Sequence, residues 1–350
     1  MAEAVKVLRR AGDIFGYTLE FEEAAVGGAA IDLYGDPLPE RTLQVALEAD
    51  AVLFGAVGGP KWDNQPPERR PEQGILRLRK RLGLYVNMRP ATLYPELIES
   101  SPLKKAAVDG GFDMLIVREL SSGLYYGEPK ERRTIGGVRQ AIDTLFYSEK
   151  EIERCVRSAF DAAMSRRRKV TSVDKANVLM ASRLWREVVE EVARDYPEVQ
   201  VEHQYVDACA MLLVREPKRF DVLVTENTFG DILSDLAGAI TGSLGMLPSA
   251  SLGAGGRGLY EPIHGSAPDI AGKGIANPVG AILSGAMMLE YAFGLRHPAQ
   301  AIRRAVRRVL GSGYVTPDLV RGHTGTQTVV NTRQMGDLVV EQILKEDERL

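Results

Sequence analysis

The spacing of apolar residues changes repeatedly along the chain, and each change predicts a new element. Runs with helical periodicity predict helices, whereas short continuous apolar runs predict buried strands. The predicted helices cover residues 2–11 (ended by Gly12), 39–49, 148–167 and 178–195. The predicted strands cover residues 17–25, 51–57, 112–120, 169–174, 199–207 and 220–227. Strands that alternate with helices of this length indicate an α/β protein with a largely parallel sheet.

Polar and charged residues follow several of these predicted strands. In open α/β sheets, ligands bind at the carboxyl ends of the strands, so the residues directly after each strand are the first candidates for a site. These candidates are Arg118, residues 174–177, Asp207 and residues 227–235.

Two glycine-containing segments are not expected to bind a dinucleotide. Gly253, Gly255 and Gly258 satisfy the pattern GxGxxG, but a phosphate-binding turn needs a preceding strand and a helix that opens at the third glycine. Neither neighbour is expected here, so we predict a flexible loop rather than a Rossmann turn. Residues 128–140 combine basic side chains with a Gly-Gly pair and are predicted to form an exposed loop or arm.

Composition narrows the class of protein. The 350-residue chain is 45% hydrophobic and 26% charged, which suits a globular protein of two domains. Its formal net charge of -3 argues against a general affinity for nucleic acid or anionic membranes. Cys155 and Cys209 are the two cysteines, so the sequence contains neither a disulfide framework nor a cysteine-based zinc motif. We expect a soluble, cytoplasmic protein.

Two carboxylates have the spacing of a metal site. Asp231 and Asp235 are four residues apart in the segment NTFGDILSD, so they project from one face of a helix. Oxygen ligands without cysteine or a histidine pair suit Mg²⁺ or Mn²⁺, and Asp207 could supply a third carboxylate. An isolated pair at this spacing is more often solvated surface or a helix cap, but its position after an apolar strand favours metal binding.

Three arginines are candidates for binding carboxylate groups. Arg118 ends an apolar run, where its guanidinium could bind a carboxylate through two hydrogen bonds, although an ion pair with Glu119 explains it equally well. Arg89 lies in the segment NMRP. Arg79 lies in a basic run, for which a solvated helix face is the simpler explanation.

Two residues could transfer protons, and one loop could bind a nucleotide. Lys175 and Tyr125 would serve if a nearby cation or desolvation lowered their pKa values, although a lysine after a strand is usually solvated. Residues 264–277 are rich in small residues that let the backbone approach a flat ligand, with a plain turn as the alternative. Within them, Asp269 could accept hydrogen bonds from ribose hydroxyls.

Together these segments resemble the metal-dependent β-decarboxylating dehydrogenases, the family of isocitrate and isopropylmalate dehydrogenases. The resemblance runs through GAVGGPKWD (55–63), NMRP (87–90), VREL (117–120), GLYYGEP (123–129), SVDKANVL (172–179), QYVDACAM (204–211), NTFGDILSD (227–235) and EPIHGSAPDIAGKGIANP (261–278). It implies a doubly wound α/β sheet in two lobes that is not a Rossmann fold. Residues 1–84 and 242–350 would form a cofactor-binding lobe, and residues 85–241 a second lobe with the substrate and metal residues and a dimer interface.

The resemblance also implies a role for each candidate residue. The substrate-carboxylate clamp of the family matches Arg79, Arg89 and Arg118. Its metal ligands, for Mg²⁺ or Mn²⁺, match Asp207, Asp231 and Asp235, and Asp207 is also counted among the substrate-binding residues. Its acid-base pair matches Tyr125 and Lys175. Its adenosine-binding loop matches His264, Gly265, Ser266, Ala267, Pro268, Asp269, Ile270 and Asn277. The family forms homodimers, which implies that Lys175 and Asp207 reach the active site of the partner.

Two short segments carry the implied choice of substrate and cofactor. Glu72, Ile75 and Leu76 lie on the helix of the first clamp arginine, and the two apolar side chains offer a wall for an isopropyl group. Isocitrate enzymes have small or polar residues at those places. Asp269 followed by Ile270 is similar to the NAD-using members, because a carboxylate would repel a 2'-phosphate. The resemblance therefore implies NAD-dependent oxidative decarboxylation of isopropylmalate, a step of leucine biosynthesis.

Alternatives stay open at this point. D-malate, tartrate or homoisocitrate could be the substrate of such an enzyme. Members of the family usually begin with a central strand and a Gly-Asp-Gly-Ile-Gly-Pro-Glu turn, whereas the given sequence begins in the helix that follows. We therefore expect the usual first strand to be absent, and an inactive enzyme or a non-catalytic subunit is the remaining alternative.

Overall fold

The computed structural model describes residues 1–320 and 327–344, which form a mixed α/β fold. The α-helices are α1 (Ala2–Phe15), α2 (Gly28–Tyr34), α3 (Glu40–Glu48), α4 (Pro71–Arg81), α5 (Lys105–Val108), α6 (Glu149–Met164), α7 (Met180–Ala193), α8 (Val206–Arg215), α9 (Asn227–Ile240), α10 (Val279–Tyr291), α11 (Arg296–Gly311) and α12 (Thr332–Glu341). The strands are β1 (Val52–Leu53), β2 (Leu84–Leu93), β3 (Phe112–Glu119), β4 (Glu131–Ile135), β5 (Val138–Ile142), β6 (Lys169–Asp174), β7 (Gln200–Tyr205), β8 (Val222–Thr225), β9 (Pro248–Gly253), β10 (Gly258–Pro262), β11 (Tyr314–Val315) and β12 (Thr328–Val329).

The chain divides into two compact units. The first comprises the described parts of residues 1–84, 92–111 and 238–350, and the second comprises residues 85–91 and 112–237. Within the first unit, the Ser100 hydroxyl donates to the carbonyl of Leu319 at 2.7 Å, which ties the segment after β2 to the C-terminal part of the chain. The lobe boundaries suggested by the sequence stay a prediction.

Parallel strands form the interior of the second unit. They lie in the order β3-β8-β6-β7, and β8 is buried throughout. Helices α6 and α7 pack against each other, α6 against β3, β8 and β6, and α7 against β6, as buried parallel strands require. The carboxyl ends of β3 and β8 meet at one edge, where Arg118 pairs in register with Thr225. This edge positions the candidate site.

The first unit has a helical core beside a short sheet segment. Strand β10 pairs with β1 in parallel and with β9 in antiparallel orientation. Helix α10 is buried along most of its length and packs against α1, α11, β9 and β10. A helix that is apolar on all sides belongs in a domain interior. The loop between β10 and α10 carries the predicted cofactor-binding residues.

The two glycine-containing segments belong to hairpins. The GxGxxG segment connects β9 to β10, so a strand does precede it, contrary to expectation, but a second strand rather than a helix follows. The exclusion of a Rossmann turn is confirmed. The predicted arm is the antiparallel pair β4 and β5, exposed along almost its whole length, whose turn passes through Gly136 (φ 58°) and Gly137 (φ 79°). Positive φ at both turn residues is typical of the tightest hairpins.

Three local predictions were wrong. Helix α1 continues beyond Gly12 to Phe15, because the glycine that closes it in a left-handed conformation is Gly16 (φ 78°). Within the part of the chain that the structure describes, residues 17–25 form no strand, and the side chains of residues 18, 20 and 22–24 are exposed. Strand β7 ends at Tyr205, so Asp207 lies in the first turn of α8 instead of ending a strand.

Two general expectations can be compared with the described residues. Cys155 and Cys209 are buried and free, as expected in the absence of a disulfide framework. Across residues 1–320 and 327–344, no helix has both the length and the apolar character needed to span a membrane.

Candidate active site

Three elements of the second unit bring the central site residues together. Strand β2 carries Arg89, β3 carries Arg118 next to its last residue, and α9 begins directly after β8. The carboxylate of Glu226 accepts hydrogen bonds from the main-chain N–H groups of Thr228 and Phe229 at 2.9 and 2.7 Å. These bonds satisfy donors that a helix N-terminus leaves open, so the start of α9 is fixed relative to β8.

The carboxylate of Asp231 accepts hydrogen bonds from three side chains of the candidate site. Arg118 Nη1 donates to Asp231 Oδ1, and Arg89 Nη1 donates to the same oxygen at 3.1 Å. The hydroxyl of Tyr125 donates to the other oxygen, Oδ2, at 2.7 Å. The Arg118 guanidinium lies 5.4 Å from the centre of the Tyr125 ring, within the range of a cation–π contact. Sequence positions 89, 118, 125 and 231 are thus brought into one cluster.

The arginines of this cluster are buried, whereas its carboxylates are partly open. Arg118 is only 1% exposed and Arg89 7%. A buried cation is costly unless it is paired and hydrogen-bonded, and here the carboxylate of Asp231 pairs with both guanidinium groups. The side chain of Asp235 remains 63% exposed, and its Oδ1 lies 3.9 Å from Arg89 Nη1. Two fixed guanidinium groups in a cluster that is partly exposed to solvent suit the binding of an anionic ligand.

Ionisation within the cluster follows from burial and from the neighbouring charges. Burial raises the pKa of Asp235, Arg89 opposes that rise, and the negative charge of Asp231 adds to it. Burial and the hydrogen bond to Asp231 raise the pKa of Tyr125, whereas its role was predicted on the condition of a lowered pKa; desolvation lowers the pKa of a lysine but raises that of a tyrosine. Tyr125 therefore keeps its proton at neutral pH and can act as a proton donor.

The donors on α9 fit part of a hard-metal site. Asp231 and Asp235 are one turn apart, both approach Arg89, and they offer only oxygen atoms. Within residues 1–320 and 327–344, no group of three His, Cys, Asp or Glu side chains is close enough to hold a metal ion. Asp207 is therefore not gathered with the other two aspartates in one chain, and further ligands would have to come from water, substrate or another subunit.

Lys175 and Asp207 form a second cluster. Lys175 Nζ donates to Asp207 Oδ1 at 2.6 Å, and this hydrogen bond lowers the pKa of the Asp207 carboxyl. Both Lys175 and Arg186 lie over the ring of Tyr205, at 6.0 and 5.3 Å from its centre. Arg186 is held in turn by two hydrogen bonds to Asp174, at 3.0 and 2.9 Å. The ammonium group of Lys175 thus lies beside the exposed carboxylate of Asp207 and over an aromatic ring that Arg186 also contacts.

Helix α4 of the first unit carries the third candidate arginine. Arg79 Nη2 donates to Glu261 Oε1 at 2.6 Å, and both side chains are largely buried. Residues 72, 76 and 79 share one face of the helix by their spacing. On that helix Glu72 is exposed, Leu76 half-buried and Ile75 buried at 8% exposure. Ile75 therefore contributes to the core of its own unit as well as to any wall for a substrate.

The predicted cofactor residues lie on the loop between β10 and α10. Residues 265–269 are exposed, and Ala267 has a φ of 44°, a left-handed conformation that non-glycine residues seldom adopt. Asn277, at the end of the loop, is buried, and its side chain accepts from the N–H of Val279 at 3.0 Å. The loop is thus anchored at its end and open along its middle, where Asp269 faces solvent. This arrangement fits the binding of a nucleotide.

Four polar residues that accept hydrogen bonds from the candidate arginines were given no role of their own from the sequence: Glu261, Asn227 and, beside Arg89, Asn87 and Ser234. Glu261 binds Arg79, and Asn227 binds Arg118. Each begins a segment that the sequence did mark, EPIHGSAPD and NTFGDILSD. The signal that could have found them is their polarity directly beside buried apolar strands.

A sequence model of the isocitrate/isopropylmalate dehydrogenase family matches residues 1–339. The chain belongs to this family. Its curated relatives include the 3-isopropylmalate dehydrogenase of Priestia megaterium, 58% identical over 329 residues, which cover 93% of this chain and 89% of that protein. The 3-isopropylmalate dehydrogenase of Aquifex aeolicus is 54% identical over 341 residues, 97% of this chain and 92% of that protein.

Solved structures of family members have the same fold. The isocitrate dehydrogenase of Methylococcus capsulatus superposes with a TM-score of 0.85 at 37% identity, covering 98% of this chain and 95% of that one. A β-decarboxylating dehydrogenase from Thermococcus kodakarensis superposes with a TM-score of 0.78 at 38% identity, covering 100% and 94%. The family and the α/β fold class predicted from the sequence are confirmed, and the roles of the single residues stay predictions.

Proposed function

We propose that the chain catalyses the NAD-dependent oxidative decarboxylation of (2R,3S)-3-isopropylmalate to 4-methyl-2-oxopentanoate and carbon dioxide, a step of leucine biosynthesis. The observation that carries this proposal is the convergence of Arg89, Arg118 and Tyr125 on Asp231 in a chain of this family. The relatives of highest identity named above are 3-isopropylmalate dehydrogenases matched over nearly their whole length, which favours this substrate over isocitrate.

The arginines bind the carboxylate group that leaves as carbon dioxide. Arg89 and Arg118 are buried and fixed, so their positive charges are oriented before the substrate enters and need little reorganisation when it binds. Arg79 contributes a third guanidinium from α4. Its ion pair with Glu261 restrains the side chain in one orientation.

Proton transfers are assigned to Lys175 and Tyr125. Lys175 in its amine form accepts the proton of the substrate hydroxyl as that carbon is oxidised, and the carboxylate of Asp207, 2.6 Å from Nζ, stabilises the ammonium group that results. After carbon dioxide leaves, Tyr125 gives its hydroxyl proton to the carbon of the enol. The raised pKa of Tyr125 suits this role, because the proton is retained until a basic carbon is formed.

Asp231 and Asp235, with Asp207, would hold Mg²⁺ or Mn²⁺, and residues 264–270 with Asn277 would hold NAD. When bound, the metal supplies a Lewis acid for the hydroxyl and carboxylate oxygens of the substrate, and NAD supplies the acceptor for a hydride. Asp269 selects NAD, because an exposed carboxylate accepts from ribose hydroxyls and repels a 2'-phosphate.

The proposal includes a homodimer built through helices of the second unit. Helices α8 and α9 expose large apolar side chains, Met211 and Ile232 at 61% each and Val214 at 41%. Exposed apolar surface of this kind is typical of subunit interfaces. A second copy would bring Asp207 and Lys175 of one chain to Asp231 and Asp235 of the other, which no single chain brings together.

Steady-state kinetics with NAD and Mg²⁺ test the proposal. The expected result is that kcat/KM is higher for 3-isopropylmalate than for D-malate, tartrate, homoisocitrate and isocitrate. A higher kcat/KM for one of the other acids would show that this acid, and not 3-isopropylmalate, is the substrate. No turnover with any of them, in a protein that unfolds cooperatively, would favour a non-catalytic subunit instead.

A further inference from the structure

The side chain of Arg118 is held along the first turns of α9. The amide oxygen of Asn227 accepts hydrogen bonds from Arg118 Nε at 3.0 Å and from Nη2 at 2.7 Å. Asn227 is fully buried, as is Arg118. A single oxygen that bridges two guanidinium nitrogens fixes both the position and the plane of the group.

The orientation of the Asn227 amide is itself determined. Its Nδ2 donates to the carbonyl of Ser122 at 3.0 Å, so its oxygen must face the arginine. Its main-chain N–H donates to the hydroxyl of Tyr147 at 3.0 Å. Tyr147 in turn donates to the carboxylate of Glu226 at 3.3 Å. Asn227 is therefore a rigid acceptor, fixed before any ligand binds.

Gly230 provides the room for this arrangement. A Cβ atom at that position would lie 2.6 Å from Arg118 Cγ and 2.8 Å from Arg118 Cβ, closer than carbon atoms can approach. Residues 227, 230 and 231 are three and four positions apart, so they share one face of α9. The arginine stem lies over the glycine, with Asn227 on one side and Asp231 on the other.

We infer that Asn227 is the positioning residue for Arg118 in substrate binding, with Gly230 as the gap that admits the arginine stem. Asn227 is uncharged, so it orients the guanidinium without adding a second negative charge to that of Asp231. A carboxylate in its place would hold the group equally well but compete with the substrate. The inference rests on the proposed function, in which Arg118 binds the substrate.

Kinetics of Asn227→Ala provide the first test. We expect KM for 3-isopropylmalate to rise by about 10- to 100-fold, as for the loss of hydrogen bonds to a charged group, with KM for NAD unchanged. Asn227→Asp should raise the same KM because it adds the competing charge. Gly230→Ala should raise it by displacing the arginine stem.

Thr171→Val is the matched control, because it removes one buried hydrogen bond, to Glu202 at 2.9 Å, away from Arg118. It should lower the melting temperature and leave both KM values unchanged.

A double-mutant cycle separates positioning from general damage. If Asn227 acts through Arg118, Asn227→Ala should change kcat/KM by less than about twofold in an Arg118→Ala background, because there is no guanidinium left to orient. Effects that multiply instead would overturn the inference.

A measurement without substrate distinguishes this inference from the proposed function. The Nε–H resonance of Arg118, assigned by its loss in Arg118→Lys, should exchange slowly with water in the parent and much faster in Asn227→Ala. If protection is lost in Asn227→Ala but the parent does not turn over 3-isopropylmalate, the proposed function is refuted and the contact between Asn227 and Arg118 is kept. Unchanged protection would refute the positioning role whatever the activity.

Discussion

Asp231 satisfies three donors with two oxygen atoms, and this places it at the centre of the cluster. Arg89 and Arg118 share one oxygen, and Tyr125 takes the other. A buried guanidinium without a partner would carry a desolvation cost of several kcal/mol, so the aspartate holds the arginines in place as well as offering a metal ligand. In the proposed function, this one residue would connect metal binding, carboxylate binding and proton transfer.

Asp231→Asn separates these roles. The amide retains an acceptor oxygen for the arginines but removes the negative charge that binds a divalent cation. We expect turnover with Mg²⁺ to fall by more than about 100-fold, with the far-UV circular dichroism spectrum unchanged. Asp161→Asn, on α6 with a hydrogen bond to Tyr196, is the control and should retain activity. Normal turnover of Asp231→Asn at limiting Mg²⁺ would contradict the metal assignment.

The cofactor preference can be tested at two neighbouring residues. Asp269→Lys with Ile270→Tyr replaces a repulsive carboxylate by a cation where the 2'-phosphate of NADP would lie. The ratio of kcat/KM for NADP to that for NAD should rise by at least about tenfold, or about 1.4 kcal/mol. Asp269→Asn, which removes the repulsion without adding a cation, should give a smaller rise. An unchanged ratio would show that the loop does not bind the ribose.

At the scale of elements, α4 contributes to the core of the first unit and, in the proposed function, to substrate binding, and the sequence does not distinguish these two roles. Ile75 faces the interior of its own unit, whereas Leu76 is half-buried on the same turn. Apolar spacing identifies a helix face but does not say whether that face meets protein or ligand. Substitutions on α4 must therefore be judged on stability and on substrate choice at once.

Replacing Ile75 and Leu76 by Ala tests the apolar wall. If a side chain contacts the isopropyl group, its loss should cost roughly 1 to 3 kcal/mol of binding free energy in the transition state, and kcat/KM for 3-isopropylmalate should fall accordingly. Activity on D-malate should change much less, because that substrate has no isopropyl group. Leu76→Ala alone is the cleaner variant, since the burial of Ile75 means that its loss also destabilises the fold. An equal loss on both substrates would assign the pair to the fold.

The elements that the sequence predicted well are those with strong periodicity and buried neighbours. Strand β6 has the predicted bounds, and α6 begins at Glu149, one residue after the predicted start at Ser148, which caps the helix through a capping box with Glu151. Residues 17–25 alternate like a strand, yet whether a partner strand lies alongside depends on distant parts of the chain. The start of α8 was missed because nothing in its sequence distinguishes the end of β7 from the helix that follows at once.

Site residues were predictable when they carried a charge in a recognised segment. Arg89, Arg118 and Asp231 were predicted from such segments and lie together in the structure. Asn227 and Glu261 act through other residues, and such contacts depend on side-chain geometry that a single sequence does not contain. The separation of Asp207 from Asp235 likewise follows from the fold rather than from the residue types.

At the scale of the whole molecule, this separation bears on how many chains one site needs. The cluster on α9 and the Lys175–Asp207 pair are each held by hydrogen bonds of their own, but each contains only part of the chemistry proposed for the reaction. In a symmetric dimer, the same surface of both chains meets, so each of two sites would receive one half from each chain.

Mixing two inactive variants tests whether active sites are shared. Lys175→Ala and Asp231→Asn should each be inactive as homodimers. After dissociation and reassociation of an equal mixture, half of the dimers contain both variants. In each of these, one site carries both substitutions and the other carries neither, so about one quarter of the parent activity should return.

The measurement is turnover of 3-isopropylmalate before and after exchange of subunits, with each variant exchanged against itself as the control. If both halves of a site come from one chain, no mixed dimer contains an intact site and the activity stays at the level of the variants. That result would leave Lys175 and Asp207 to act beside Asp231 of their own chain, and the dimer would have no part in the chemistry.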